Sequence, residues 1–83
     1  MKYMVAELLV TAKKVWYENG MVCILIQDGR EIRFPSTLNK RLKNASRSQL
    51  ENIEIICGGT GLHWPELDED LSIVGIMEGR FGQ

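Results

Sequence analysis

Apolar and polar positions in the first half of the chain are organised by two turn dipeptides. Asn19-Gly20 and Asp28-Gly29 both suit a type I′ turn, in which two successive residues take positive φ. Between them, Met21-Val22-Cys23-Ile24-Leu25-Ile26-Gln27 is almost continuously apolar, as in a central strand covered on both faces. Two-residue turns predict a meander with Trp16 opposite Cys23 and Cys23 opposite Phe34. The same register sets Lys14 opposite Leu25 and Leu25 opposite Ile32. One face then holds Trp16, Cys23, Leu25, Ile32 and Phe34. The other sets Val15, Tyr17, Val22, Ile24 and Ile26 against Glu31 and Arg33, so the first face is the expected core. A three-residue loop at either turn would shift this register.

Beyond the meander the period changes. Pro35-Ser36 ends the third strand and offers a serine N-cap, after which Leu38, Leu42 and Ala45 recur at helical spacing. Ser46 with Gln49, or Ser48 with Glu51, supplies a cap for a second short helix. Ile53 to Cys57 reads as a further strand, and Gly58-Gly59-Thr60-Gly61 as a tight turn between strands. Ser72 caps a short helix with Ile73, Ile76 and Met77 inward, stopped by Gly79; a strand from Leu71 to Ile76 is the alternative. The expected class is α+β, a mainly antiparallel sheet with one or two short helices on one side, in a single domain spanning residues 1–83.

Composition narrows the function classes. Of 83 residues, 45% are hydrophobic and 25% charged, which places the chain among globular domains. A net charge of -1 gives no global pull toward nucleic acid or anionic lipid. Cys23 and Cys57 lack metal or redox spacing and read as buried free thiols. The run Met4 to Thr11 is too short for a membrane span and lacks the layout of a secretory signal. A cytoplasmic protein is expected.

Candidate chemistry concentrates in Gly61-Leu62-His63-Trp64-Pro65-Glu66-Leu67-Asp68-Glu69-Asp70. An imidazole oriented by a carboxylate can act as a general base, but no serine or cysteine nucleophile stands in a recognisable context. His63, Glu66, Asp68 and Asp70 could hold a hard cation, yet their spacing is not that of an EF-hand loop, and zinc would want more His or Cys. The glycines lack the lysine and helix of a phosphate loop. No catalytic residue, cofactor or metal is therefore expected. Trp64 beside acids suits an interface anchor as well as it suits a core. Lys40, Arg41, Lys43 and Arg47 form a weaker, basic candidate for nucleic acid, without an aromatic platform.

Asp28-Gly29-Arg30, Phe34-Pro35, Leu42, Ala45-Ser46, Gln49 and above all Gly61 to Ile73, followed by Gly75 and Gly79, form a pattern. From about Val15 to Gly79 it resembles the bacterial and phage family called domain of unknown function 2442, in the branch with a G-x-H-W-P-x-L-D-E-D signature. The resemblance implies a small α+β fold with a curved antiparallel sheet and no assigned catalytic residues. It also implies a gene neighbour of the domain of unknown function 4160 type, in a toxin–antitoxin-like pair. The expected function is a protein-interaction module, the neutralising partner of a small co-encoded protein. Its candidate contact residues are His63, Trp64, Glu66, Asp68, Glu69 and Asp70. A homodimer, autoregulatory DNA binding through residues 40–47 and a His63-centred enzyme are the alternatives. On the interaction reading, amide replacements at Asp68, Glu69 and Asp70 should spare the fold.

Overall fold

The first turn forms as its residues predict. In the computed structural model, which describes residues 10–82, Asn19 and Gly20 join β1 (Ala12–Glu18) to β2 (Met21–Ile26) at φ 51° and 77°. Positive φ at both positions gives the strands a compatible twist. Trp16 lies opposite Cys23 and Lys14 opposite Leu25, as expected. Most of the Met4 to Thr11 run, through Leu9, lies outside the described residues.

The second turn differs from the prediction. β3 (Glu31–Pro35) sets Phe34 opposite Val22, Arg33 opposite Cys23 and Ile32 opposite Ile24. Gln27, Asp28 and Gly29 form a three-residue loop, closed by the Ile26 N–H donating to the Arg30 carbonyl at 2.8 Å. Gly29, at φ 97°, takes the left-handed position such a loop needs. The Arg30 backbone N–H donates to Asp28 Oδ1 at 3.0 Å and holds that carboxyl below its usual range.

Side chains alternate along a strand, so one extra residue turns every β3 side chain over. The core face of the sheet is therefore Val22, Ile24, Ile26 and Phe34, with Val15, Tyr17 and Ile32 packed beside them. Trp16, Cys23 and Leu25, expected inside, occupy the opposite face together with Glu31 and Arg33. Cys23 is nonetheless fully covered by its neighbours, as expected of it.

After β3 the chain turns through Ser36–Leu38 with no side-chain cap, so the expected Ser36 cap is replaced. Asn39 caps α1 (Lys40–Lys43) instead, its Oδ1 accepting from the Arg41 and Leu42 N–H groups at 2.9 and 3.0 Å. Leu42 is buried, but Leu38 is exposed and leaves the expected helical stripe. α2 (Arg47–Glu51) starts with the predicted Ser46–Gln49 capping box. It buries Leu50.

The remaining strands form a second sheet rather than extending the first. β4 (Glu54–Ile56), β5 (Gly61–Trp64) and β6 (Glu69–Ser72) are antiparallel neighbours in that order. Gly58 and Gly59, at φ 63° and 98°, make the tight β4–β5 link. Cys57 shares that link at φ 55° and is exposed, which corrects the expectation of a buried thiol. Ser72 ends β6 and caps α3 (Ile73–Met77), its Oγ accepting from the Gly75 N–H at 2.9 Å. Ile73 and Ile76 point inward, whereas Met77 is exposed. The α+β class stands, with two three-stranded sheets and short helices.

The two sheets share one core. Leu62, Trp64 and Leu71 of the second sheet join Val22, Ile24, Ile26 and Phe34 of the first. Phe81 closes one side, its ring 5.0 Å from that of Phe34. Fully buried Asn39 ties three regions together: beyond capping α1, its Nδ2 donates to Glu69 Oε2 at 2.6 Å and to the Phe81 carbonyl at 2.7 Å.

Candidate functional site

The β5–β6 hairpin sorts the signature residues by parity. Leu62, Trp64, Glu69 and Leu71 share the core side, while His63 and Asp70 lie directly opposite each other on the other face. β4 brings Glu54 into register with His63. Glu54, His63 and Asp70 therefore form one row across three strands. Glu54 is a member that local sequence could not supply, because its place depends on the β4–β5 register. The strand alternation of Glu54-Ile55 was the available signal. Behind the row, Gly61 carries no side chain, and a Cβ there would come within 3.2 Å of Ile56 Cγ1.

His63 Nδ1 bonds Asp70 Oδ1. An ionised carboxylate only accepts, so Nδ1 carries the proton and Nε2 is the nitrogen that titrates. The bond to Asp70 raises the His63 pKa above its ordinary value; partial burial opposes this, and the charges of Asp70, Glu54 and Asp68 add to it. The imidazole, 28% of its side chain exposed, sits among carboxylates that favour its protonated form. Ser72 shares this face through its register with Gly61, but its hydroxyl is engaged in capping α3. Among the described residues, no three His, Cys, Asp or Glu side chains converge to hold a metal ion.

The other signature residues have different tasks. Trp64 is fully buried, and its indole N–H points at the Leu50 carbonyl 3.4 Å away, so it offers no surface to a partner. Glu69 also faces inward, accepting from Asn39 and lying 4.0 Å from Arg41 Nε. Glu69 is thus part of an internal contact, one that an amide oxygen at this position could still accept. Glu66 accepts from Asn52 Nδ2 at 2.9 Å. Asp68 turns the hairpin at φ 51° with an exposed side chain. Asp70 stays on the surface with His63.

The basic candidates do not form a common platform. Arg41 donates to the Leu67 carbonyl at 3.1 Å, and Arg47 pairs with Glu51 at 3.0 Å on its own helix. Lys40 and Lys43 are exposed on α1. The acidic and basic segments, separate in sequence, meet at the Arg41–Glu69 contact. Part of the apparent charge asymmetry is thus satisfied within the molecule.

Comparison with known proteins places this arrangement in a family. The model of the protein of unknown function family DUF2442 matches residues 12–82. The chain belongs to the DUF2442 family. This DUF2442 protein is similar to a protein of unknown function from Rhodospirillum rubrum whose crystal structure is known. The two are 40% identical with a TM-score of 0.83, over 88% of this chain and 90% of the other. It is also similar to an uncharacterized protein from Chromobacterium violaceum, known from a solution NMR structure. That likeness has 30% identity and a TM-score of 0.81, over 98% of this chain and 76% of the other. No curated protein matches. Among the described residues of this DUF2442 chain, no helix is long and apolar enough to cross a membrane.

Proposed function

We propose that this DUF2442 protein is a protein-interaction module that receives a small basic partner on the Glu54–His63–Asp70 face of its second sheet. The observation that carries the reading is the row itself, in which three strands align two carboxylates around one imidazole. Asp68 adds negative charge near His63, and half-buried Ile56 supplies an apolar neighbour on the same face. A lysine or arginine side chain would meet carboxylates there, and a rigid sheet keeps the cost of ordering them low. In this reading His63 is a contact residue and not a general base. A neutralising, antitoxin-like role toward a co-encoded protein is its finer form, since acidic side chains can cover a basic partner surface.

The test is affinity capture from the host with the wild-type chain and with Glu54→Gln/Asp70→Asn. A stoichiometric small basic partner, retained by the wild type and weakened at least about tenfold by the double variant, supports the reading. The variant must keep the wild-type circular dichroism spectrum. Retention of that partner by the variant would place contact elsewhere, and absence of any stoichiometric partner would remove the proposal.

A further inference from the structure

The first sheet carries a face that the core does not use. On the outer side of the first sheet, side chains stand in three cross-strand rows. Lys14, Leu25 and Glu31 form one, Trp16, Cys23 and Arg33 the next, and Glu18, Met21 and Pro35 the third. The half-buried β2 residues Met21 and Leu25 make an apolar strip along the middle, on either side of Cys23, which its neighbours cover. Trp16 extends the strip onto β1, its indole N–H bonded to Glu18 and the Lys14 ammonium 5.8 Å from its ring centroid. On β3, Arg33 pairs with Glu31 at 3.1 Å.

The charges around this strip are two of each sign, Lys14 and Arg33 with Glu18 and Glu31. That mixture suits neither a strongly basic partner, nor an acidic one, nor a phosphate backbone. It does suit itself. A two-fold axis parallel to β2 would lay β1 of one copy over β3 of the other while keeping each row in place. Lys14 would then face Glu31 of the second copy, and Trp16 would face its Arg33, a salt bridge and a cation–π contact each made twice. Met21 and Leu25, the half-buried β2 residues on this face, would meet their own equivalents along the axis. Face-to-face sheets pack about 10 Å apart with strands nearly aligned, which this operation provides.

We infer that the outer face of the first sheet is a self-complementary docking surface for a second copy of this chain. Its symmetry pairs Lys14 with Glu31 and Trp16 with Arg33 across the interface. The inference is independent of the acid–histidine face, which lies on the second sheet. It also gives Trp16 and Leu25 an occupation that the core does not.

Sedimentation equilibrium of the full chain tests it, with Lys14→Glu, Glu31→Lys and the exchange variant Lys14→Glu/Glu31→Lys. The wild type is expected at twice the 9.5 kDa chain mass. Each single reversal should weaken association at least about tenfold, because it affects two equivalent contacts. The exchange variant should recover most of the affinity. Circular dichroism checks that all variants are folded, and Leu25→Lys gives a second route by placing a charge in the apolar strip. A wild type that is monomeric throughout, or single reversals that leave the dimer unchanged, would overturn the inference. So would an exchange variant no better than the singles.

Discussion

Asn39 is the residue whose removal should tell most about what holds the two sheets together. Its side chain makes four hydrogen bonds and is fully buried. Asn39→Ala removes the N-cap of α1, which costs about 1 kcal/mol. It also leaves the Glu69 carboxylate, only 15% exposed, and the Phe81 carbonyl without their donor. Each unsatisfied group of that kind adds about 1–3 kcal/mol. With two such groups and the cap, the expected loss is about 3–7 kcal/mol. A domain of this size holds about 4–12 kcal/mol in total at the usual stability per residue. Urea unfolding followed by far-UV circular dichroism and tryptophan emission measures the change, with buried Trp64 reporting on the core. Glu69→Gln is the comparison: its amide oxygen can still accept from Asn39, so it should lose only about 1 kcal/mol. If Asn39→Ala stays within about 1 kcal/mol of wild type at unchanged denaturant dependence, the tie carries little of the stability, and this reasoning is wrong.

Gly59→Ala should destabilise far more than Gly29→Ala although both sit at positive φ. A Cβ at Gly59 would come within 2.9 Å of Thr11 Cβ, whereas one at Gly29 meets nothing within 4 Å, so thermal melts should separate a clash from backbone strain alone of about 1–2 kcal/mol. In the native protein Cys57 should react with a thiol reagent. Cys23 should react only on unfolding, because it is covered and burial pushes its thiol pKa up. NMR titration should place the His63 pKa above its ordinary value in the wild type and lower in Asp70→Asn. Because the folded-state value is the raised one, the stabilisation from this pair is fully present below about pH 6.5 and is lost as pH rises through the folded-state pKa. The stability difference between wild type and Asp70→Asn should shrink accordingly in alkaline solution.

Much of this architecture is legible in short-range chemistry. Asn19-Gly20, the Ser46–Gln49 box and the Ser72 cap each satisfy a local backbone requirement, and each forms as its residues imply. Asp28-Gly29 shows where such reasoning stops. The dipeptide serves a two-residue or a three-residue loop, and only packing of β3 against the core selects between them. That one residue exchanges the two faces of the sheet. Asn39 was equally readable as a cap in front of Lys40-Arg41-Leu42-Lys43, but its bonds to Glu69 and Phe81 arise from tertiary contact alone. At the candidate site, His63 and Asp70 are visible as residues. Their opposition, the arrival of Glu54 and the burial of Trp64 follow from register.

The bond from Asn39 to Phe81 spans 42 positions, and the Phe34–Phe81 ring contact spans still more. A ribosome making this protein releases the first meander well before the ring that closes its core. Until Leu62, Trp64 and Leu71 follow, and Phe81 after them, the nascent Val22, Ile24, Ile26 and Phe34 face lacks its full cover, so final folding waits on the second half of the chain. Chaperone contact during translation should concentrate on that interval. Ending translation just before Phe81 should strand an otherwise intact meander in a state that aggregates.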